Sequence, residues 1–265
     1  MASGTATALV PHRAWRFREL LAWHPEWWML AISAGAWLVI VLSMSDSFVP
    51  EICSLASFGP IGNSIARLRI RPVSAELSSE YIGWLLMTAA MMLPLTVLPV
   101  RHVAFRSFSS RRNRAVAIFL IGYLIVWAFA GAALVPVLIA ARTLDGSGGR
   151  FTLAFGLVLA AAWQWTPLKL RASRRCHRTV ALSPIGWRAD VDCVRFGVGT
   201  GSNCAFSCWA LMLTPVLASH SLLAMICFQA VALHERYELR PRVKALTPVL
   251  LTCAAMFFSL AFVIA

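Results

Sequence analysis

Cys204, Cys208 and Met212 follow one another at steps of four. On a helix that spacing puts all three on one stripe. Two thiols and a thioether are a soft donor set, the kind Cu(I) prefers. Ser202, Asn203 and Ser207 make the same stretch polar for its setting, and polar groups within a membrane face other helices. A second reading fits the same residues. Gly197, Gly201 and Cys204 are small enough to let a neighbouring helix approach closely, which makes the stripe a packing face.

Other candidates are scattered along the chain. Met87 and Met91 share a helical face, Met92 follows, and Pro94 interrupts the helix and frees a backbone carbonyl. Thioethers ligate Cu(I), and methionine also fills irregular gaps between helices. Trp163-Gln164-Trp165-Thr166-Pro167-Leu168-Lys169 closes another apolar run. Gln164 and Thr166 need partners if buried there, while the tryptophans and Lys169 fit an interfacial belt with a snorkelling lysine. Cys176-His177 lies in a basic stretch whose cations favour the thiolate. Glu235, next to His234 and Arg236, is placed to pair with Arg236 or Lys169. Cys227 and Cys253 read as small buried hydrophobes.

The elements that must position these residues are apolar runs separated by basic clusters. Of the 265 residues 59% are hydrophobic and 13% charged. Mean hydropathy is +0.73. A soluble domain carries about 25% charge, so this is the composition of a polytopic membrane protein. The pattern predicts an all-α bundle of about seven transmembrane helices, over 27–45, 81–100, 115–141, 151–168, 197–217, 221–235 and 246–265. Segment 1–26 is expected inside, and 27–265 as one transmembrane domain with an outer loop at 46–80 and an inner loop at 169–195. In this arrangement 19 basic residues lie inside and five outside, which puts the N-terminus inside and the C-terminus outside. The net charge of +13 is therefore topological, and nucleic acid is not a partner. Seven cysteines, mostly in or beside spans, do not make a disulfide framework. No phosphate loop, dinucleotide glycine motif or Gly-x-Ser-x-Gly is present, so no enzyme activity is expected.

Three stretches together resemble a bacterial family of integral membrane proteins catalogued as predicted metal-binding and sometimes labelled copper chaperones. They are Met87-Thr88-Ala89-Ala90-Met91-Met92-Leu93-Pro94, Gln164-Trp165-Thr166-Pro167-Leu168-Lys169 with Cys176 behind it, and Cys204-Ala205-Phe206-Ser207-Cys208-Trp209-Ala210-Leu211-Met212. The resemblance covers roughly 81–240 and implies a bacterial cytoplasmic-membrane protein that binds or delivers a soft metal, most naturally copper. Its implied ligands are Cys204, Cys208, Met212, Met91, Met92 and Cys176, with Gln164, Thr166, Lys169 and Glu235 as a polar network. Three departures stand out. Ala172 occupies a position where the family carries cysteine, Phe206-Ser207-Cys208 replaces Gly-Cys-Cys, and Glu235-Arg236 replaces an acidic–lysine pair. Missing thiols support an alternative: a non-catalytic accessory or scaffold subunit of a larger membrane complex that has lost the metal site.

Overall fold

Pro94 breaks the second apolar run. In the computed structural model, which describes residues 24–54, 73–144, 150–183, 185–217 and 222–237 with positions 249 and 252, that run is two helices. α1 (Trp27–Ser54) precedes α2 (Val73–Met92), a 3-10 turn (Pro94–Thr96) and α3 (Val97–Arg106). The two arms meet at a bend of 42°. Proline has no N–H to continue the ladder, and the Thr96 hydroxyl and N–H both take up the Leu93 carbonyl, at 2.7 and 2.8 Å. The span expected as straight over 81–100 is thus a bent pair.

The chain continues as α4 (Arg112–Leu144), α5 (Arg150–Gln164), α6 (Pro167–Cys176), α7 (Gly186–Leu217) and α8 (Leu222–Tyr237). The described residues are all helical or connecting, with no strand. Six of the seven expected apolar runs coincide with described helices, and the seventh, 246–265, falls outside the described residues save for helical positions 249 and 252. Among the described residues one helix, Ser109–Ala141, is by length and composition long and apolar enough to cross a bilayer alone.

Two expected loops shrink. The outer one, 46–80, is entered by α1 at one end and α2 at the other. The inner one, 169–195, holds α6 and the start of α7. α6 starts because Pro167 sits at its first position and the Thr166 hydroxyl caps the Lys169 N–H at 3.3 Å. Hydropathy dips at Arg188, Asp190, Asp192 and Arg195, yet the helix runs straight through them.

α7 is the hub: α4, α5, α6 and α8 all pack on it, α4 most extensively. The α4–α7 crossing depends on absent side chains. A Cβ on Gly197 would overlap the Phe119 carbonyl, and one on Gly201 would sit 3.0 Å from the Tyr123 carbonyl. The small-residue reading of this face is therefore realised in the backbone contact. A Cβ on Gly199 would meet nothing within 4 Å. Gly197→Ala is expected to destabilise the fold by about 1–3 kcal/mol through overpacking. Gly199→Ala should be neutral or stabilising by up to about 1 kcal/mol, from helix propensity alone. Thermal unfolding of the two variants checks this, and equal shifts would rule out the crossing.

Polar contacts gather the basic segments at one end of the bundle. Arg111 and Arg114 both pair with Asp190, the latter at 2.8 Å, and His102 bonds the Val180 carbonyl at 2.9 Å. Arg101 reaches Glu26 at 2.8 Å. Burial pushes the Glu26 carboxyl up, but bonds from Arg101 and His24 outweigh it and hold the group below its ordinary value.

Candidate metal centre

The close α4–α7 crossing brings Tyr123 onto the cysteine stripe. Its hydroxyl, fully buried, lies 3.2 Å from the Cys204 sulfur and 3.4 Å from the Met92 carbonyl. One turn on, Ser207 donates to the Cys204 carbonyl at 3.0 Å and stands 3.4 Å from the Cys208 sulfur. Cys204 and Cys208 stand one helical turn apart on α7 and line the same cavity. α6 ends against this stripe at Cys176, and α8 closes it with Glu235 and Arg236.

The result is a cavity of about 20 Å³ lined by Cys176, Cys204 and Cys208, with Ser207, Glu235 and Arg236 among its other walls. That volume accepts about one water-sized particle. Cysteines from two helices, Cys176 on α6 and Cys204 and Cys208 on α7, thus line one small space. Among the described residues, no three His, Cys, Asp or Glu side chains are grouped closely enough to hold a metal ion together. The donors present suit a soft cation content with two sulfurs, and Cys204 and Cys208, one turn apart on one helix, are the pair that could supply them.

A buried ionic knot supports this wall. Lys169, 2% exposed, donates to both oxygens of Glu235 at 2.8 Å and to the Gln164 side-chain oxygen. Thr166 joins through its cap on the same lysine's backbone. The expected snorkelling lysine is therefore replaced by a buried one: α8 delivers a carboxylate at its level, and the ammonium turns inward to meet it. Between the two partners foreseen for Glu235, the structure selects Lys169. Trp163 turns inward too, edge-on to Trp209 at 5.2 Å, while Trp165 remains exposed.

The methionines lie elsewhere. Met91, Met92 and Met212 are buried in the same core cluster as the cysteines, together with Met87, but none lines the cavity. The link between the two stretches is Tyr123, which touches Met92 through its carbonyl and not its sulfur. Two cysteine expectations change. Cys176 is not a cation-activated thiolate: burial pushes its thiol up to about 11, overriding the pull of Arg236. Its neighbour His177 is exposed, and desolvation followed by the charge of Arg236 pushes its pKa below the ordinary value. Cys227, expected buried, is exposed; Cys253 lies outside the described residues.

Sequence reading missed Tyr123 as a site residue and saw Arg236 only as a salt-bridge partner. The signal for Tyr123 was available, since it lies well inside the uncharged apolar run 115–141, where a hydroxyl must find a partner on another helix. Of the departures from the resembled family, Ser207 stands in the cavity wall itself, whereas Ala172 is buried without lining it.

Comparison with known proteins gives one match. A family model described as copper chaperone matches residues 81–258, from within α2 through α8. No curated protein and no solved structure matches the chain.

Proposed function

The chain belongs to the copper chaperone family, and from that premise we propose that it is a multi-pass protein of the bacterial cytoplasmic membrane that binds Cu(I) and hands it on. Copper is cargo, and the protein is a carrier, not an enzyme. Cys204 and Cys208 form the two-sulfur seat, with Cys176 facing it as a third thiol from α6. The observation that carries this reading is that Cys204 and Cys208, one turn apart on α7, line one small cavity together with Cys176. Met91, Met92 and Met212 surround the seat as soft core and are not required as its ligands. The knot of Gln164, Thr166, Lys169 and Glu235 fixes the wall that Glu235 shares with Arg236. Metal analysis of protein purified in mild detergent under reducing conditions is expected to give one copper per chain. A copper-free parent would reject the carrier reading in favour of the accessory-subunit one.

Placement across the bilayer follows from the 19-to-5 distribution of basic residues and the apolar runs. The gathering of the 101–114 and 169–195 segments at one end agrees with this, as do bonds from Arg236 to the Leu95 carbonyl and from Lys169 to Glu235. Cysteines introduced at positions 110 and 147 are expected to label from opposite sides of the membrane. Labelling from the same side would overturn the seven-span topology.

A further inference from the structure

Of the two ions in the cavity wall, one is already balanced. Glu235 is held by Lys169 through both carboxylate oxygens. Arg236 is not so held: its Nε donates to the Leu95 carbonyl at 3.2 Å, and among the described residues no carboxylate pairs with it. It lines the same cavity as Cys176, Cys204 and Cys208. The cavity wall therefore carries one net positive charge beside its cysteines.

Loading changes that balance in a definite way. One Cu(I) and two thiols give a dithiolate complex of charge −1, and two protons leave to solvent. Buried, such an anion is costly unless paired. We propose that Arg236 is the counter-ion of this complex and a valence filter: its single positive charge neutralises a monovalent metal on two thiolates. A divalent metal on the same two thiolates is already neutral and would leave the guanidinium uncompensated. The inference rests on the copper-carrier reading and adds the basis of selection for monovalent over divalent metal.

The test compares the detergent-solubilised full chain with Arg236→Gln, Arg236→Lys and Ser173→Glu. Glutamine keeps a donor for the Leu95 carbonyl and removes the charge. Lysine keeps the charge. Glu at 173, on the α6 wall of the cavity, brings a carboxylate to the intact arginine. Cu(I) and Zn(II) affinities are measured by competition with chromophoric chelators. Arg236→Gln is expected to weaken Cu(I) binding by roughly 10–100-fold, the range for a partner outside the ligand set. Zn(II) binding should hold or tighten. Arg236→Lys should retain the parent's Cu(I)-to-Zn(II) ratio, and Ser173→Glu should lower it with Arg236 in place. A loss of both metals in parallel would reduce Arg236 to a structural role and overturn the proposal. So would an unchanged Cu(I) affinity in Arg236→Gln or, if that variant does not fold, in Ser173→Glu. Copper binding by the parent with no response to these charges would sink the filter alone; no copper in the parent would sink the carrier reading with it.

Discussion

Cys204→Ser/Cys208→Ser is expected to reduce bound copper from one per chain to none, with Cys227→Ser at the parent level. The physical ground is that serine offers a harder oxygen in place of the soft sulfur Cu(I) prefers. Each single change should lower affinity by more than the roughly 10–100-fold typical of a partner outside the ligand set, because a two-sulfur seat has no spare ligand on its own helix. Cys176→Ser tests the third thiol separately. It approaches from α6, whereas the seat is built on α7, so its loss should speed release more than it lowers occupancy. Cys227 is an apt control because it is a free cysteine on α8 exposed away from the cavity. Equal copper in the double variant and the control would reject the seat. Since Cys208 is 8% exposed and Cys204 6%, unfolding by heat must be followed in parallel, to separate ligand loss from a repacked core.

The helices were legible because long apolar runs broken by basic clusters favour helix over strand. The break at Pro94 was legible too, because a missing N–H is a local property of one residue. Helix ends were not. Hydropathy follows how apolar the surroundings are, while the backbone ladder follows capping and sterics. Charged Arg188, Asp190, Asp192 and Arg195 thus hid a helix start that lies at Gly186. The stripe of Cys204, Cys208 and Met212 was visible as spacing, but a helix face has depth as well as direction. Cys204 and Cys208 meet the cavity, and Met212, one turn farther, is absorbed into the core. Nothing in the order of residues placed Cys176 beside them; that required α6 to fold back on α7, set by the cap at Thr166. The activation expected for Cys176 failed for a related reason. Its sequence neighbours are arginines, yet a side chain answers to its spatial neighbours, and burial by α7 and α8 dominates.

Lys169→Met is expected to destabilise the protein by about 3–5 kcal/mol, the cost of leaving a buried charge without its partner. Lys169 and Glu235 have side chains only 2% and 16% exposed, so solvent cannot take over the missing bonds as it does for a surface pair. The change orphans both carboxylate oxygens and the Gln164 side-chain oxygen together. Removing both charges in Lys169→Met/Glu235→Leu should recover most of the loss, since two well-packed apolar groups can replace a buried pair at little or no cost. A double-mutant cycle on thermal unfolding in detergent measures this, and single and double variants with the same loss would rule out the coupling. The knot also bears on copper. An unpaired Glu235 in the cavity wall would offset the charge of Arg236, so Lys169→Met should weaken Cu(I) binding beyond what its lost stability explains. With Glu235 also replaced, Arg236 again stands alone beside the sulfurs, and Cu(I) affinity should return.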